Sequence, residues 1–169
     1  MGMTDGSFEQ LPPDALLLLL GPSGAGKTTW ATARFAPESI LSSDAFRVLV
    51  AGDAADQSAT ADAFKVLHAV ARARLRRGLL TVVDATNLTE RARRSLLRIA
   101  AGAQRPVVAV AFDLSLQRCL AQNAARLERQ VPEGVVRRQH REMRRALSQL
   151  PSEGYARVTL IGDEGMRGG

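Results

Sequence analysis

Leu16-Leu-Leu-Leu-Leu20-Gly21-Pro-Ser-Gly-Ala-Gly26-Lys27-Thr28-Thr29-Trp30 decides the fold of this chain. Five consecutive leucines have no polar face to turn toward water, so they predict a strand buried on both sides, over Ala15–Leu20. Gly21 to Thr28 fits G-x-x-x-x-G-K-[ST], and each residue type in it has a job. Glycines and small residues let backbone N–H groups curl around a phosphate without Cβ clashes, and the helix that follows points its partial positive charge at the same spot. Ser23, Gly24, Ala25, Gly26, Lys27, Thr28 and Thr29 are therefore the candidate cradle for a nucleoside triphosphate. Lys27 would reach the β- and γ-phosphates and the Thr28 hydroxyl would ligate Mg²⁺, which makes ATP and Mg²⁺ the expected cofactors.

Outward from this loop, apolar runs alternate with helical patterns. Helices are predicted over Lys27–Phe35, over Asp44–Val50 with Ser43 or Asp44 as cap, and over Ala61–Arg77 with Gly78 as its stop. Others are predicted over Thr89–Ala101, Ser115–Leu127 and Glu133–Leu150, the last two joined at Val131–Pro132. Strands are predicted over Ser39–Leu41, Leu79–Asp84, Pro106–Asp113 and Ala156–Ile161. Strands apolar on both faces, alternating with helices, specify a parallel sheet covered on both sides, an α/β fold. Right-handed crossovers then gather the strand C-termini on one edge, where ligands of such sheets bind.

The 169 residues suit one domain, expected over 15–162, with a loose leader at 1–14 and a tail at 163–169. No apolar run is long enough to span a membrane, and the acidic, proline-bearing first residues do not read as a signal peptide. The single Cys119 excludes a disulfide framework and fits a cytoplasmic protein. The formal charge is +6, and of 23 basic residues only Lys27 and Lys65 are lysines. A codon bias toward arginine gives such a composition, and so does an anionic partner. The placement of the arginines is the better guide. Residues 118–145 hold eight of them against three acids.

Three further features carry chemistry. Leu79–Asp84 ends in an acid, so Asp84 is the candidate second magnesium contact. Asp44 follows the second strand at the edge where Lys27 lies, with Arg47 one helical turn on. A carboxylate to take a proton from an attacking hydroxyl and a guanidinium to hold an acceptor phosphate make a workable pair. Arg126 and Arg129 flank the break between the last two helices. A helical hairpin there, about 118–145, forms a lid whose arginines neutralise charge on a transferring phosphoryl group. His68 reads as core-edge packing, Trp30 as packing, Cys119 as structural, and His140 has no metal-ligand spacing.

Taken together, GPSGAGKTTWA (21–31), ILSSDAFR (40–47), DQSAT (56–60) followed by AFKVLH (63–68), LTVVDATNLTERAR (80–93) and RLERQVPE (126–133) resemble one family in order and spacing. That family is the 5′-hydroxyl polynucleotide kinase module of bacterial polynucleotide kinase-phosphatases, which heal RNA ends. The resemblance runs from about Leu16 to Ile161. It implies a P-loop kinase fold with strand order 2-3-1-4-5, and transfer of the ATP γ-phosphate to the 5′-OH ends of RNA or DNA. By position it implies Asp44 as general base, Arg47 on the acceptor's phosphate, Arg126 and Arg129 as lid arginines, and Gln57 and Asn87 near the acceptor. It also implies phosphatase and ligase modules of a repair enzyme as partners. The sequence to Gly169 contains neither module, so an excised module and a free-standing kinase both stay open. Gln122 stands where another basic residue is expected. Two other readings of the same residues remain: a P-loop kinase for a small-molecule alcohol (sugar, nucleoside or antibiotic), and a nucleotide-dependent binding switch.

Overall fold

The structure, a computed structural model, describes residues 11–127 and 130–164. Most of the expected leader and tail, and Arg129, lie outside the described residues. Within the leader, Leu11 packs on the core and the Asp14 carboxylate pairs with Arg105 at 2.6 Å.

Five parallel strands form one sheet in the order β2-β3-β1-β4-β5. They are β1 (Leu16–Leu20), β2 (Ile40–Ser42), β3 (Thr81–Asp84), β4 (Val107–Asp113) and β5 (Arg157–Gly162). The leucine run is the central strand, paired with β3 on one side and β4 on the other. All five leucines are fully buried. The alternation of side chains along a strand splits them between two cores. Leu16, Leu18 and Leu20 face Leu67, Ala71 and Leu75 of α3 (Thr60–Arg76), Leu96 and Ile99 of α4 (Glu90–Gly102), and Met143 of α6 (Glu133–Gln149). Leu17 and Leu19 share the opposite layer with Trp30 of α1 (Lys27–Thr32), Phe112 of β4 and Cys119 of α5 (Leu116–Ala124). Trp30 packs edge-on against Phe112, with centroids 5.7 Å apart, so it serves the core. No helix among the described residues is long and apolar enough to cross a membrane.

The elements depart from the sequence expectations at their ends, for local reasons. The cap of α2 (Ser43–Ala51) is Ser42, whose Oγ accepts from the Ala45 backbone N–H, and not Ser43 or Asp44. Asp44 thus lies inside the first turn. β3 starts at Thr81 because Gly78, at φ 69°, and Leu79 close the end of α3, their N–H groups donating to the Leu75 and Arg74 carbonyls. α5 stops at Ala124, three residues early. The buried Asn123 side chain there binds both backbone groups of Val131, donating to its carbonyl at 2.7 Å and accepting from its N–H at 3.0 Å. In place of the expected joint at Val131–Pro132, the described residues 125–127 and 130–132 lie outside both helices, and one amide fastens their two ends.

Candidate active site

The loop from Gly21 to Gly26 leaves the C-terminal end of the central strand and opens α1. Its shape requires glycine twice. Gly24 has φ 82° and Gly26, the N-cap of α1, φ 79°. A Cβ on Gly24 would stand 2.2 Å from the Cys119 carbonyl oxygen and 3.1 Å from Asn123, so α5 lies directly on the loop. Because both the φ and the α5 backbone oppose a side chain, Gly24→Ala displaces the loop. We expect ATP affinity to fall by about tenfold or more, measured calorimetrically, with the far-UV circular dichroism unchanged.

Lys27 is nearly buried (9% exposed), and its Nζ donates to the Gly21 and Pro22 carbonyls at 2.8 and 2.9 Å. Burial pushes its pKa down to about 8; the Asp84 charge opposes that shift and the Arg126 charge adds to it. Asp44 also acts on this ammonium. Lys27 is thus the point where the fields of Asp84, Asp44 and Arg126 meet, although these residues come from β3, α2 and the hairpin. A sign follows for pH. The protonated ammonium attracts a triphosphate more strongly than the neutral amine, so ATP affinity in the free protein declines as pH rises through about 8. Arg126→Ala removes a lowering influence and moves that decline to higher pH. Binding isotherms between neutral and alkaline pH measure both.

The Thr28 hydroxyl donates to Asp84 Oδ2 at 2.7 Å, and Asp84 is 4% exposed. Asp84 stands in register with Ser42 on the neighbouring strand, two residues before Asp44. This places Asp44, Asp84 and the loop at one sheet edge. A hydroxyl and a carboxylate in contact are hard oxygen donors that suit Mg²⁺. Among the described residues no group of three His, Cys, Asp or Glu side chains could hold a metal ion. A metal at Thr28 and Asp84 would therefore complete its shell with water and phosphate oxygens, the usual habit of Mg²⁺.

Asp44 is ion-paired with the Arg47 Nη2, and the Arg47 Nε donates to the Ala54 carbonyl at 2.8 Å. The guanidinium is buried and the carboxylate more than one-third exposed (8% against 37%), so the pair leaves its acid open to solvent. Gln57 is exposed in a short turn over Gln57–Ala59. Asn87 is buried at φ 49°, and its Nδ2 donates to the Leu19 carbonyl at 2.7 Å. That bond ties the turn after β3 to the end of the central strand. The Asn87 Oδ1 has no hydrogen-bond partner among the described residues. The loop joining α5 and α6 carries Arg126, half-buried, and Leu127, fully exposed.

Several contacts were not legible in the sequence. Gln139 Oε1 on α6 accepts from the Ser23 backbone N–H at 2.8 Å, so the second helix of the hairpin also touches the phosphate loop. With its amide oriented to satisfy its neighbours, Gln122 donates to the Gly24 carbonyl and accepts from Arg118 Nε. A neutral side chain thus braces the loop where a cation was expected. Arg93 of α4 is fully buried. It forks onto Glu153 at 2.8 and 2.6 Å, and donates to Gln149 at 2.8 Å and to the Leu88 carbonyl at 2.7 Å. It holds the segment that follows Asp84 from behind. Cys119 is fully buried, with its thiol pushed up to about 11 mainly by burial, so it is no nucleophile.

A family model described as an AAA domain matches residues 16–150. No curated protein matches the chain. Among solved structures, the Pnkp1/Rnl/Hen1 RNA repair complex contains a chain similar to 80% of this one, at 21% identity and TM-score 0.70, over 45% of its own length. The AvrRxo1-ORF1:-ORF2 complex with ATP is similar over 92% of this chain and 56% of the other, at 18% identity and TM-score 0.69. Mycobacterium tuberculosis APS kinase CysC, in complex with AMPPNP and APS, is similar over 82% of this chain and 99% of its own, at 20% identity and TM-score 0.54. The chain spans about half the length of the first two. At these identities the likeness is one of fold.

Proposed function

Because this chain belongs to the AAA domain family, matched over residues 16–150, and folds as a P-loop kinase, we propose that it transfers the ATP γ-phosphate to the 5′-hydroxyl of RNA or DNA. The observation that carries the reading is the geometry of one sheet edge: Thr28, beside Lys27, donates to Asp84, and Asp84 stands in register with Ser42, two residues before Asp44. In this reading Asp44, as proton acceptor, and Asp84, as a contact for a cation, share one sheet edge with the triphosphate cradle, and the charge of Arg126 acts on the same lysine.

In this reading the backbone of Ser23–Thr29 and the Lys27 ammonium hold the β- and γ-phosphates. Lys27 exchanges the Gly21 and Pro22 carbonyls for phosphate oxygens. Thr28 and Asp84 would hold Mg²⁺, which when bound offsets the charge of the phosphate oxygens. Asp44 accepts the proton of the incoming 5′-hydroxyl. That oxygen bonds to the γ-phosphorus as the bond to the β–γ bridging oxygen breaks, and ADP leaves. Arg126 neutralises the equatorial oxygens, together with Arg129, which lies outside the described residues. Arg47 anchors the acceptor's phosphate, and Gln57 and Asn87 flank it. Contacts to backbone phosphate leave little base preference.

One observation favours a second reading, phosphorylation of a small-molecule alcohol. The Arg47 guanidinium is already engaged by Asp44 and Ala54, and a small-molecule kinase shares the fold. A panel of 5′-hydroxyl oligonucleotides and small alcohols with γ-labelled ATP separates the two. We expect labelled oligonucleotide, with an acceptor KM that rises by about tenfold or more between low and moderate salt, because several phosphates are contacted. Label on a small alcohol alone, insensitive to salt, overturns the proposal. ATP binding with label on no alcohol indicates a nucleotide switch.

A further inference from the structure

The face of the molecule away from the phosphate loop carries a second concentration of guanidinium groups. α3 and α4 each return from the ligand-binding edge of the sheet, so their C-terminal halves lie at the opposite end, near the starts of β3 and β4. Between those halves is a groove of about 520 Å³, lined by His68, Arg72 and Arg76 of α3 and by Ser95, Arg98 and Gly102 of α4. The spacing 68, 72, 76 places three residues in one row along α3. Gly102 leaves width, since a Cβ there would meet nothing within 4 Å.

Arg72, Arg76 and Arg98 have no hydrogen bond or ion pair among the described residues. Some other surface arginines are paired, Arg94 with Glu90, Arg137 with Glu133, Arg138 with Glu142 and Arg144 with Asp113. Among the described residues the side chains of Arg77, Arg91, Arg141 and Arg145 are not, but in the groove three such guanidinium groups line one cavity. Helix C-termini favour cations, which accounts for a basic residue in the last turn. It does not account for like charges four residues apart on α3 with a third facing them from α4, an arrangement that is unfavourable until an anion enters. Guanidinium forks match phosphate oxygens, and the volume falls in the range of small-ligand sites.

We propose that this groove is an anion site separate from the phosphate loop, taking a ligand with two or more phosphate groups. The proposal is independent of the phosphoryl-transfer reading. His68 lies edge-on to Phe64, with centroids 5.9 Å apart, and reports on the groove. Its pKa sits below the ordinary value, first through burial and then through Arg72. Arg98 and Ser95 face it from α4, so an anion among these groups raises it.

The chain has two histidines, which gives two resolvable imidazole signals. His140, on α6 with its Nε2 3.0 Å from the Leu114 carbonyl, is the internal control. Titration of the intact protein with pyrophosphate should move the His68 Hε1 resonance saturably and raise its pKa, while any shift of His140, whose neighbour Gln139 touches the phosphate loop, saturates with its own midpoint. The double variant Arg72→Gln/Arg98→Gln, at exposed positions, should weaken that saturation by about tenfold or more and leave ATP affinity unchanged. A single-stranded oligonucleotide that moves the same resonance at lower concentration than pyrophosphate assigns the source as a phosphodiester backbone. The reverse order assigns a free oligophosphate. The proposal is overturned if neither probe moves His68 saturably, or if the double variant binds both as tightly as the native protein.

Discussion

Asp44→Asn should lower γ-phosphate transfer to the proposed 5′-hydroxyl acceptor by about 10²–10⁴-fold, the usual worth of a positioned general base. The loss falls on kcat, and ATP affinity stays within about threefold, because the amide removes a proton acceptor without touching the cradle. Asparagine keeps an oxygen for Arg47 and suits the first turn of a helix capped by Ser42, so the local fold survives. Asp44→Ala should lose as much or more, because Arg47 then also loses its partner. Single-turnover rates at saturating ATP give the measurement. Transfer at the native rate in Asp44→Asn eliminates Asp44 as the base. Loss of ATP binding in step with transfer assigns it to the nucleotide site instead. Arg126→Ala is the companion. Lid arginines contribute about 10³-fold or more, again in kcat.

The second large effect is structural. Arg93→Met should lower the free energy of unfolding by about 3–5 kcal/mol, the cost of leaving one member of a buried ion pair without the other. The Arg93 side chain is 0% exposed and that of Glu153 8%. The other acceptors of Arg93, the Leu88 carbonyl and Gln149, would lose their donor as well. Urea unfolding at neutral pH measures the effect. A change under about 1 kcal/mol would mean that water or Tyr155, whose hydroxyl donates to Glu153 at 3.1 Å, takes over the carboxylate. The pH dependence has a definite sign. Burial alone would raise the pKa of Glu153. The hydrogen bonds and charge of Arg93 outweigh burial and hold it below the ordinary 4.5. The pair therefore stabilises the fold above that value and its contribution fades as pH falls through the lower, folded-state pKa. The gap between the native protein and Glu153→Gln should narrow in the same acid range.

These two sites differ in how far the sequence disclosed them. The phosphate loop was legible because backbone geometry dictates its residues: Gly24 and Gly26 both sit at positive φ, and Gly24 also lies against α5. The central strand was legible because five leucines tolerate no exposed face. The strand order came with the family likeness, since apolar runs alone do not say which neighbour a strand chooses. Arg93 was missed because an arginine within TERARR reads as part of a solvated helix face. The signal was its phase: residues 93, 96 and 100 fall on the buried side of α4. Its partner Glu153 lies 60 residues on. Nothing in the spacing of two isolated charges announces such a pair. Gln139 was invisible for the same reason, its acceptor role being fixed only when α6 folds back over the loop. Helix ends were misjudged where a side chain replaced the backbone, as with Ser42 and Asn123.

Asn123 has a wider consequence. Its single amide imitates a neighbouring strand, gripping Val131 by both its N–H and its carbonyl. The chain between these anchors stays tied to the end of α5, where the Ala125 and Arg126 N–H groups donate to the Ala121 and Asn123 carbonyls and the Gln130 amide to the Ala124 carbonyl. Leu127, fully exposed, can be exchanged without disturbing the donor pocket beneath, whereas Arg126, whose charge acts on Lys27, cannot.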